Sequence, residues 1–324
     1  MSSLEMRTLR PGEEGAFLDL MQAAFNERDL FARYFDFDEL MGAGDTKVIC
    51  DGDRILAGLQ IFARRIRLRG EAVRLGGIGS VATHPDYERQ GLASRLLRAA
   101  IVEMQERGMM LSLLFTGRTS FYERLDWVRI PYPVWACGDP GSTREGISRP
   151  MISEDLPVIQ ELYDRYNRGV DCTTWRNPTY WRGQLRFAGS PDEDFRVVER
   201  EGRVVAYARG IAVPISDLSH SIKRAMEYAR EDDAAEELAE LLVEMTPEAR
   251  PLFVSVSGDS VLEEACRGRF GDHRCVEFPD QMWRVLDRGR LQTLAGASAA
   301  ASDFELLERL VGGERCVFWP TDRF

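Results

Sequence analysis

Close cysteine pairs, long apolar runs and an excess of positive charge are all missing from this sequence, and each absence removes a class of function. The six cysteines, Cys50, Cys137, Cys172, Cys266, Cys275 and Cys316, are too scattered for a zinc site or a thiol redox motif. They read as free core or surface thiols, and no metal is expected. No stretch approaches the roughly 18 apolar residues of a membrane span. The start, Met-Ser-Ser-Leu-Glu-Met-Arg, lacks the regions of a secretory signal, so no membrane partner and a cytoplasmic location are expected. Lysine and arginine number 42 against 53 acidic residues, a net charge of -11, which argues against nucleic acid as a partner. Excess acid aids solubility and mildly favours a cationic substrate.

What is present is the length and composition of a globular protein. With 324 residues, 44% of them hydrophobic and 29% charged, the chain is long enough for two domains with separate cores. Periodicity predicts a strand over 6–10, then a helix bearing Phe17, Leu18, Met21, Ala24 and Phe25 behind the acids Glu13 and Glu14. A short helix over 31–35 and two strands, 47–50 and 54–67, follow, the strands turning at Asp51-Gly52-Asp53. Pro131, Pro133, Gly138, Pro140, Gly141, Ser142 and Thr143 break the pattern and predict a linker. Beyond it, 197–206 matches the hairpin at 48–57, an internal repeat. Helices at 234–245 and 260–269 and strands at 252–256 and 281–286 complete the second copy. The remainder holds a helix over 303–311 and an aromatic end, Phe318-Trp319-Pro320-Thr321-Asp322-Arg323-Phe324, which predicts docking rather than disorder.

The most informative stretch is 78–94, where an apolar strand enters a glycine turn that opens an amphipathic helix. Helix N-terminal amides lack intrahelical partners and the helix dipole adds positive charge, so this arrangement suits a pyrophosphate. Glu88-Arg89-Gln90-Gly91-Leu92-Ala93 resembles the acetyl-coenzyme A signature Gln/Arg-x-x-Gly-x-Gly/Ala of the GCN5-related N-acetyltransferases, the GNAT superfamily. Glu88 departs from it, leaving the side-chain contact to Arg89 and Gln90. Phe121-Tyr122-Glu123-Arg124-Leu125-Asp126-Trp127 is similar to the family's Phe-Tyr-Glu-x-x-Gly-Phe, with Asp126 for Gly and Trp127 for Phe. The resemblance extends to the relatives of the mycobacterial enhanced intracellular survival protein, which join two such folds and end in an aromatic residue, as Phe324 does here.

The resemblance implies an α/β (α+β) fold class: tandem GNAT folds, each a mixed central sheet flanked by helices, with a short C-terminal extension. The expected units are 1–140 with the acetyl-coenzyme A site, a degenerate 149–287 without a glycine loop, and a tail, 288–324, docking toward the active site. It also implies an N-acetyltransferase acting on a small cationic molecule or a lysine side chain. Val81, Thr83, Arg89, Gln90, Gly91, Leu92, Ala93 and Ser94 would bind acetyl-coenzyme A, the cosubstrate. Tyr122 would be the general acid and the Phe324 carboxylate the base.

For the acceptor, Glu27 and Asp36 stand out, because they flank the aromatics Phe25, Phe31, Tyr34, Phe35 and Phe37, and carboxylates beside rings suit a cation. The same pattern also describes an ordinary amphipathic helix with a wet acidic face. His84, before Pro85, reads as a turn residue rather than a base. A homo-oligomer is left open. The competing reading is a non-catalytic acyl-coenzyme A sensor, favoured by Glu88 and Asp126 and opposed by Tyr122.

Overall fold

Two long hairpins with buried apolar residues along their length dictate the architecture. The computed structural model describes residues 4–140, 146–188, 193–214, 221–246 and 251–324. The first half runs β1 (Glu5–Thr8), α1 (Glu14–Phe25), α2 (Arg28–Phe37), β2 (Thr46–Asp51), β3 (Arg54–Leu68), β4 (Glu71–Thr83), α3 (Leu92–Glu106), β5 (Leu111–Phe115), α4 (Thr119–Glu123), β6 (Val128–Arg129) and β7 (Tyr132–Cys137). The second half runs β8 (Ser148–Pro150), α5 (Leu156–Tyr166), α6 (Pro178–Ala188), β9 (Asp194–Arg200), β10 (Arg203–Pro214), β11 (Ser221–Arg230), α7 (Ala235–Glu244), β12 (Leu252–Ser255), α8 (Ser260–Arg267), β13 (His273–Phe278) and β14 (Gln281–Val285). Two further helices follow, α9 (Arg288–Ala295) and α10 (Asp303–Val311).

The strands form two 7-stranded sheets, β1-β2-β3-β4-β5-β14-β6 and β8-β9-β10-β11-β12-β7-β13. Each is antiparallel through its first four strands and parallel between the fourth and fifth. The repeated hairpin extends to fine detail. Both turns carry a glycine at positive φ, Gly52 at 58° and Gly202 at 77°, and both ladders slip register just beyond the turn. The expected fold class, mixed sheets flanked by helices in two copies, is the one observed.

The halves differ from the sequence reading where the chain crosses between them. The stretch read as a linker contains β7, whose Val134, Trp135, Ala136 and Cys137 are buried and which pairs with β12 and β13 in the second sheet. Prolines at 131 and 133 mark its entry rather than a break. Its Gly141, Ser142 and Thr143 lie outside the described residues. Conversely, β14, read as the last strand of the second copy, inserts into the first sheet between β5 and β6. Cuts at 140 and 287 therefore divide the sequence without dividing the sheets. Each sheet receives its sixth strand from the other half, because an unpaired edge beside the fifth strand would strand its backbone donors and acceptors.

The tail binds the halves together. Cys316 and Phe318 pack in the apolar cluster of the first sheet with Trp283, Leu111 and Leu113, while Val317 and Trp319 pack in that of the second with Tyr228 and Tyr163. Alternate side chains of an extended segment point opposite ways, so four residues serve two cores. The expectation of six free thiols is corrected here. Cys172 and Cys316 form a disulfide across 144 positions of sequence, brought together because Asp171 N donates to Arg315 O at 2.8 Å and Val317 N to Asp171 O at 2.9 Å. Cys50, Cys137 and Cys266 are free and buried, and Cys275 is free and exposed.

Exchanged strands and a shared tail couple the cores, so thermal unfolding should be one cooperative transition. Circular dichroism at 222 nm and tryptophan fluorescence should report the same midpoint; two separated transitions would contradict the coupling.

Candidate active site

The site begins where β4 and β5 part. Their parallel ladder covers Leu75–Gly77 against Leu111–Leu113 and stops, although β4 continues to Thr83. A bulge helps the separation, since the β3 register shifts between Gly58 and Gln60 and Ser80 sits at a φ of 53°. The Ser80 hydroxyl donates to Gln60 Oε1 at 2.5 Å and holds that irregular backbone. The fissure opens into a cleft of about 880 Å³.

One end of the cleft is the start of α3. Gly91, at a φ of 79°, is its N-cap and has no side chain to satisfy the amides beyond it, and Arg89 also takes a positive φ of 60°. The ladder begins with Arg95 N donating to Gly91 O at 3.0 Å, so the amides of Leu92, Ala93 and Ser94 precede it. No acid stands in the first turn. Val81, Thr83, Arg89, Gly91, Leu92, Ala93 and Ser94 all line the cleft; Gln90 is exposed and does not. Arg118 and Arg124 line it as well. Sequence reasoning missed these two cations, although both flank the Phe-Tyr-Glu segment, because nothing in the linear pattern turns that helix toward the cleft.

The equivalent place in the second half is built differently. Helix α7 opens with Glu236 and Glu237 in its first turn and no glycine before it. Asp233 and Glu237 there engage Arg200 at 2.7 and 3.1 Å. Acids at a helix N-terminus repel an anion, so only the first half offers a phosphate cradle among the described residues.

Tyr122 and Phe324 meet the cleft at its other end. Tyr122 lies on α4 with its ring edge-on to Phe121 at 4.9 Å and to Trp127 at 6.2 Å. Burial pushes its phenol up to about 12 against the lowering pull of Arg118, so it stays protonated at neutral pH. Asp126 forms the turn that leaves α4 by adopting a φ of 61°, which Asp tolerates better than most residues, while its carboxylate meets Arg284 at 3.0 Å. His84 caps the 3-10 turn at Pro85–Tyr87, its Nδ1 accepting from Asp86 N at 3.3 Å.

Phe324 stacks on Phe62 at 5.2 Å and 14°, with Phe115 and Phe318 each at 5.8 Å. Two glycines make room. A side chain at Gly77 would come within 2.3 Å of the Phe324 ring, and one at Gly79 within 3.2 Å of its main-chain carbon. What holds this end of the chain is a buried polar cluster. Arg176 donates to Glu227 at 3.1 and 2.5 Å, to Asp322 at 3.0 Å and to Thr321 at 3.0 Å, with the ion-paired side chains fully buried. Tyr180 donates to Asp322 at 2.8 Å and Tyr207 to Glu227 at 2.9 Å. Next to it, Arg323 reaches Asp280 at 2.9 Å and Tyr132 at 2.5 Å.

The acids expected to hold the acceptor, Glu27 and Asp36, do not line the cleft. Both are exposed. The α1–α2 wall presents Ala24, Phe25, Leu30, Phe31 and Tyr34 instead. The spacing of α2 turns its rings inward and its acids outward, as an ordinary amphipathic helix does.

Residues 5–130 match the model of the acetyltransferase (GNAT) domain family. Residues 5–130 carry a GNAT domain. An uncharacterized N-acetyltransferase of Streptomyces avermitilis is 23% identical over 229 residues, 63% of this chain and 54% of that one, so the chain spans about half the length of that relative. The GNAT fold is also seen in a GCN5-related N-acetyltransferase from Anabaena variabilis, at 16% identity and a TM-score of 0.68 over 89% of this chain and 74% of that chain. Eis1 from Mycobacterium abscessus gives 13% and 0.63 over 90% and 76%. Among the described residues no helix is long and apolar enough to cross a membrane.

The Arg176 cluster sets a pH dependence. Burial alone would raise the Glu227 pKa, but Arg176 and Arg209 together hold it down to about 2 from an ordinary 4.5. A depressed carboxylate contributes stability above its unfolded pKa, and that contribution is lost as pH falls from about 4.5 toward 2. Chemical denaturation across this window should show the loss, and Glu227→Gln should flatten it while costing about 3–5 kcal/mol at neutral pH.

Proposed function

We propose that this protein is an N-acetyltransferase that moves the acetyl group of acetyl-coenzyme A to a primary amine. The reading rests on one observation: uncapped amides at Leu92–Ser94 and a protonated, buried Tyr122 open into the same cleft. The residues fit the cosubstrate. The α3 amides with Arg89, Arg118 and Arg124 suit its phosphates, and the β4 edge from Thr83 to Gly79, released by β5, offers main-chain groups for the pantetheine arm. The Phe324 ring against Gly77 fills the closed end of the fissure, which suits a short acyl group.

The chemistry assigned to the side chains follows. An alkylammonium near pKa 10 has to lose a proton before its nitrogen is nucleophilic. The main-chain carboxyl group of Phe324, beside Gly79, is assigned as the acceptor of that proton. As the carbon–nitrogen bond forms and the carbon–sulfur bond breaks, the Tyr122 hydroxyl supplies a proton to the departing thiolate, and the second proton shed by the nitrogen restores the Tyr122 hydroxyl. The products are an amide and the free thiol. Acceptors within this reading are small amines or lysine side chains.

Thiol release from acetyl-coenzyme A in the presence of amine tests the assignment. Tyr122→Phe should lower kcat about 10²-fold or more with little change in KM for acetyl-coenzyme A. Adding one glycine after Phe324 should also depress kcat. Undiminished rates in both variants would remove the assigned roles, and calorimetry without an acetyl-coenzyme A heat would remove the reading.

A further inference from the structure

Two large apolar side chains stand exposed at the mouth of the cleft, Phe25 at 44% and Leu30 at 42% of full exposure. Large apolar groups exposed beside a cavity mark a binding surface more often than isolated ones do. They also begin a continuous row of rings. Phe25 stacks on Phe31 at 5.2 Å, Phe31 meets Tyr34 at 6.2 Å, Tyr34 meets Phe62 at 5.0 Å, and Phe62 stacks on Phe324 at 5.2 Å. The row leads from solvent to the point where Phe324 faces Gly79.

Charge along this route is unsuited to a polycation. The charged side chains that line the cleft among the described residues are Glu88, Arg89, Arg118 and Arg124, and none of them belongs to the row of rings. Of the carboxylates of the α1–α2 region, Asp38 pairs with the buried Arg64 and Glu39 with Arg182 at 2.9 Å, while Glu27 and Asp36 are exposed and do not line the cleft. A substrate with several ammonium groups would find no acidic side chain along this row among the described residues, and desolvating each of them is costly. A single amine on an apolar body would cover Phe25 and Leu30 and lose its one proton more readily in such surroundings.

Resting on the acetyltransferase reading, we infer that the α1–α2 wall of Phe25, Leu30, Phe31 and Tyr34 selects the acceptor, and that the acceptor is a monoamine carried on an aromatic or branched aliphatic body. The positioning surface acts on the acceptor alone, so changes to it should alter acceptor kinetics without altering those of the cosubstrate.

The test is steady-state thiol release by the full chain with acetyl-coenzyme A and three probes: phenethylamine, spermidine and an aminoglycoside. We expect kcat/KM for phenethylamine to exceed that of either polycation by about tenfold or more. Phe25→Asp, at an exposed position the fold tolerates, should lower kcat/KM for phenethylamine by about tenfold and narrow the gap to spermidine, with KM for acetyl-coenzyme A unchanged. Phe31→Ala should do the same. A polycation as the best substrate, release with none of the three probes despite acetyl-coenzyme A binding, or an unchanged preference in both variants would overturn the acceptor class and leave cosubstrate use standing. Absence of acetyl-coenzyme A binding by calorimetry would instead overturn the transferase reading beneath it.

Discussion

The buried guanidinium of Arg176 is the constraint on which the arrangement of the site depends. It joins Glu227 on the second sheet to Thr321 and Asp322 in the tail, two residues before Phe324. Burying three charged groups costs desolvation energy that their mutual attraction only partly offsets, so the cluster is poor evidence of stability for its own sake. Its geometry is demanding, however: a guanidinium satisfied by two carboxylates and a hydroxyl admits one placement of the tail. With Val317 and Trp319 seated in one core and Cys316 and Phe318 in the other, Phe324 has one place to go.

Two halves of like topology have therefore acquired different work. Both present a parallel fourth and fifth strand followed by a helix, but only α3 begins with glycine and uncapped amides, whereas α7 begins with acids paired to Arg200. The second half supplies anchorage in exchange. Arg176, Glu227 and the Cys172–Cys316 link all hold the tail, and the tail supplies the ring that closes the fissure of the first sheet. Strand exchange between β7 and β14 makes the partnership obligatory, since each sheet is incomplete without the other half.

The chemistry at the cleft reflects the same division between local and distant causes. The uncapped start of α3 is made by consecutive residues, because an anion cradle of backbone amides needs only a turn and a helix start. The end of the cleft around Phe324 is assembled from α2, β3, β4 and the tail, four segments far apart in sequence. That is why the acids Glu27 and Asp36 looked suitable beside aromatic neighbours, and why they fall on the solvent side once α2 is placed.

Local pattern determined the hairpins, the glycine turn at Gly91, the internal repeat and the span of α10, because period, turn chemistry and capping act over a few residues, while the short helix of Tyr122 was legible only through the family resemblance. Tertiary structure decided what those rules do not reach. It sent β7 and β14 into each other's sheets, joined Cys172 to Cys316, brought Arg118 and Arg124 to the cleft and turned rings rather than carboxylates of α2 toward it. Strand pairing, disulfide proximity and the facing of a helix are set by which buried surfaces and backbone groups find partners across the whole chain, and adjacency in sequence carries little of that information.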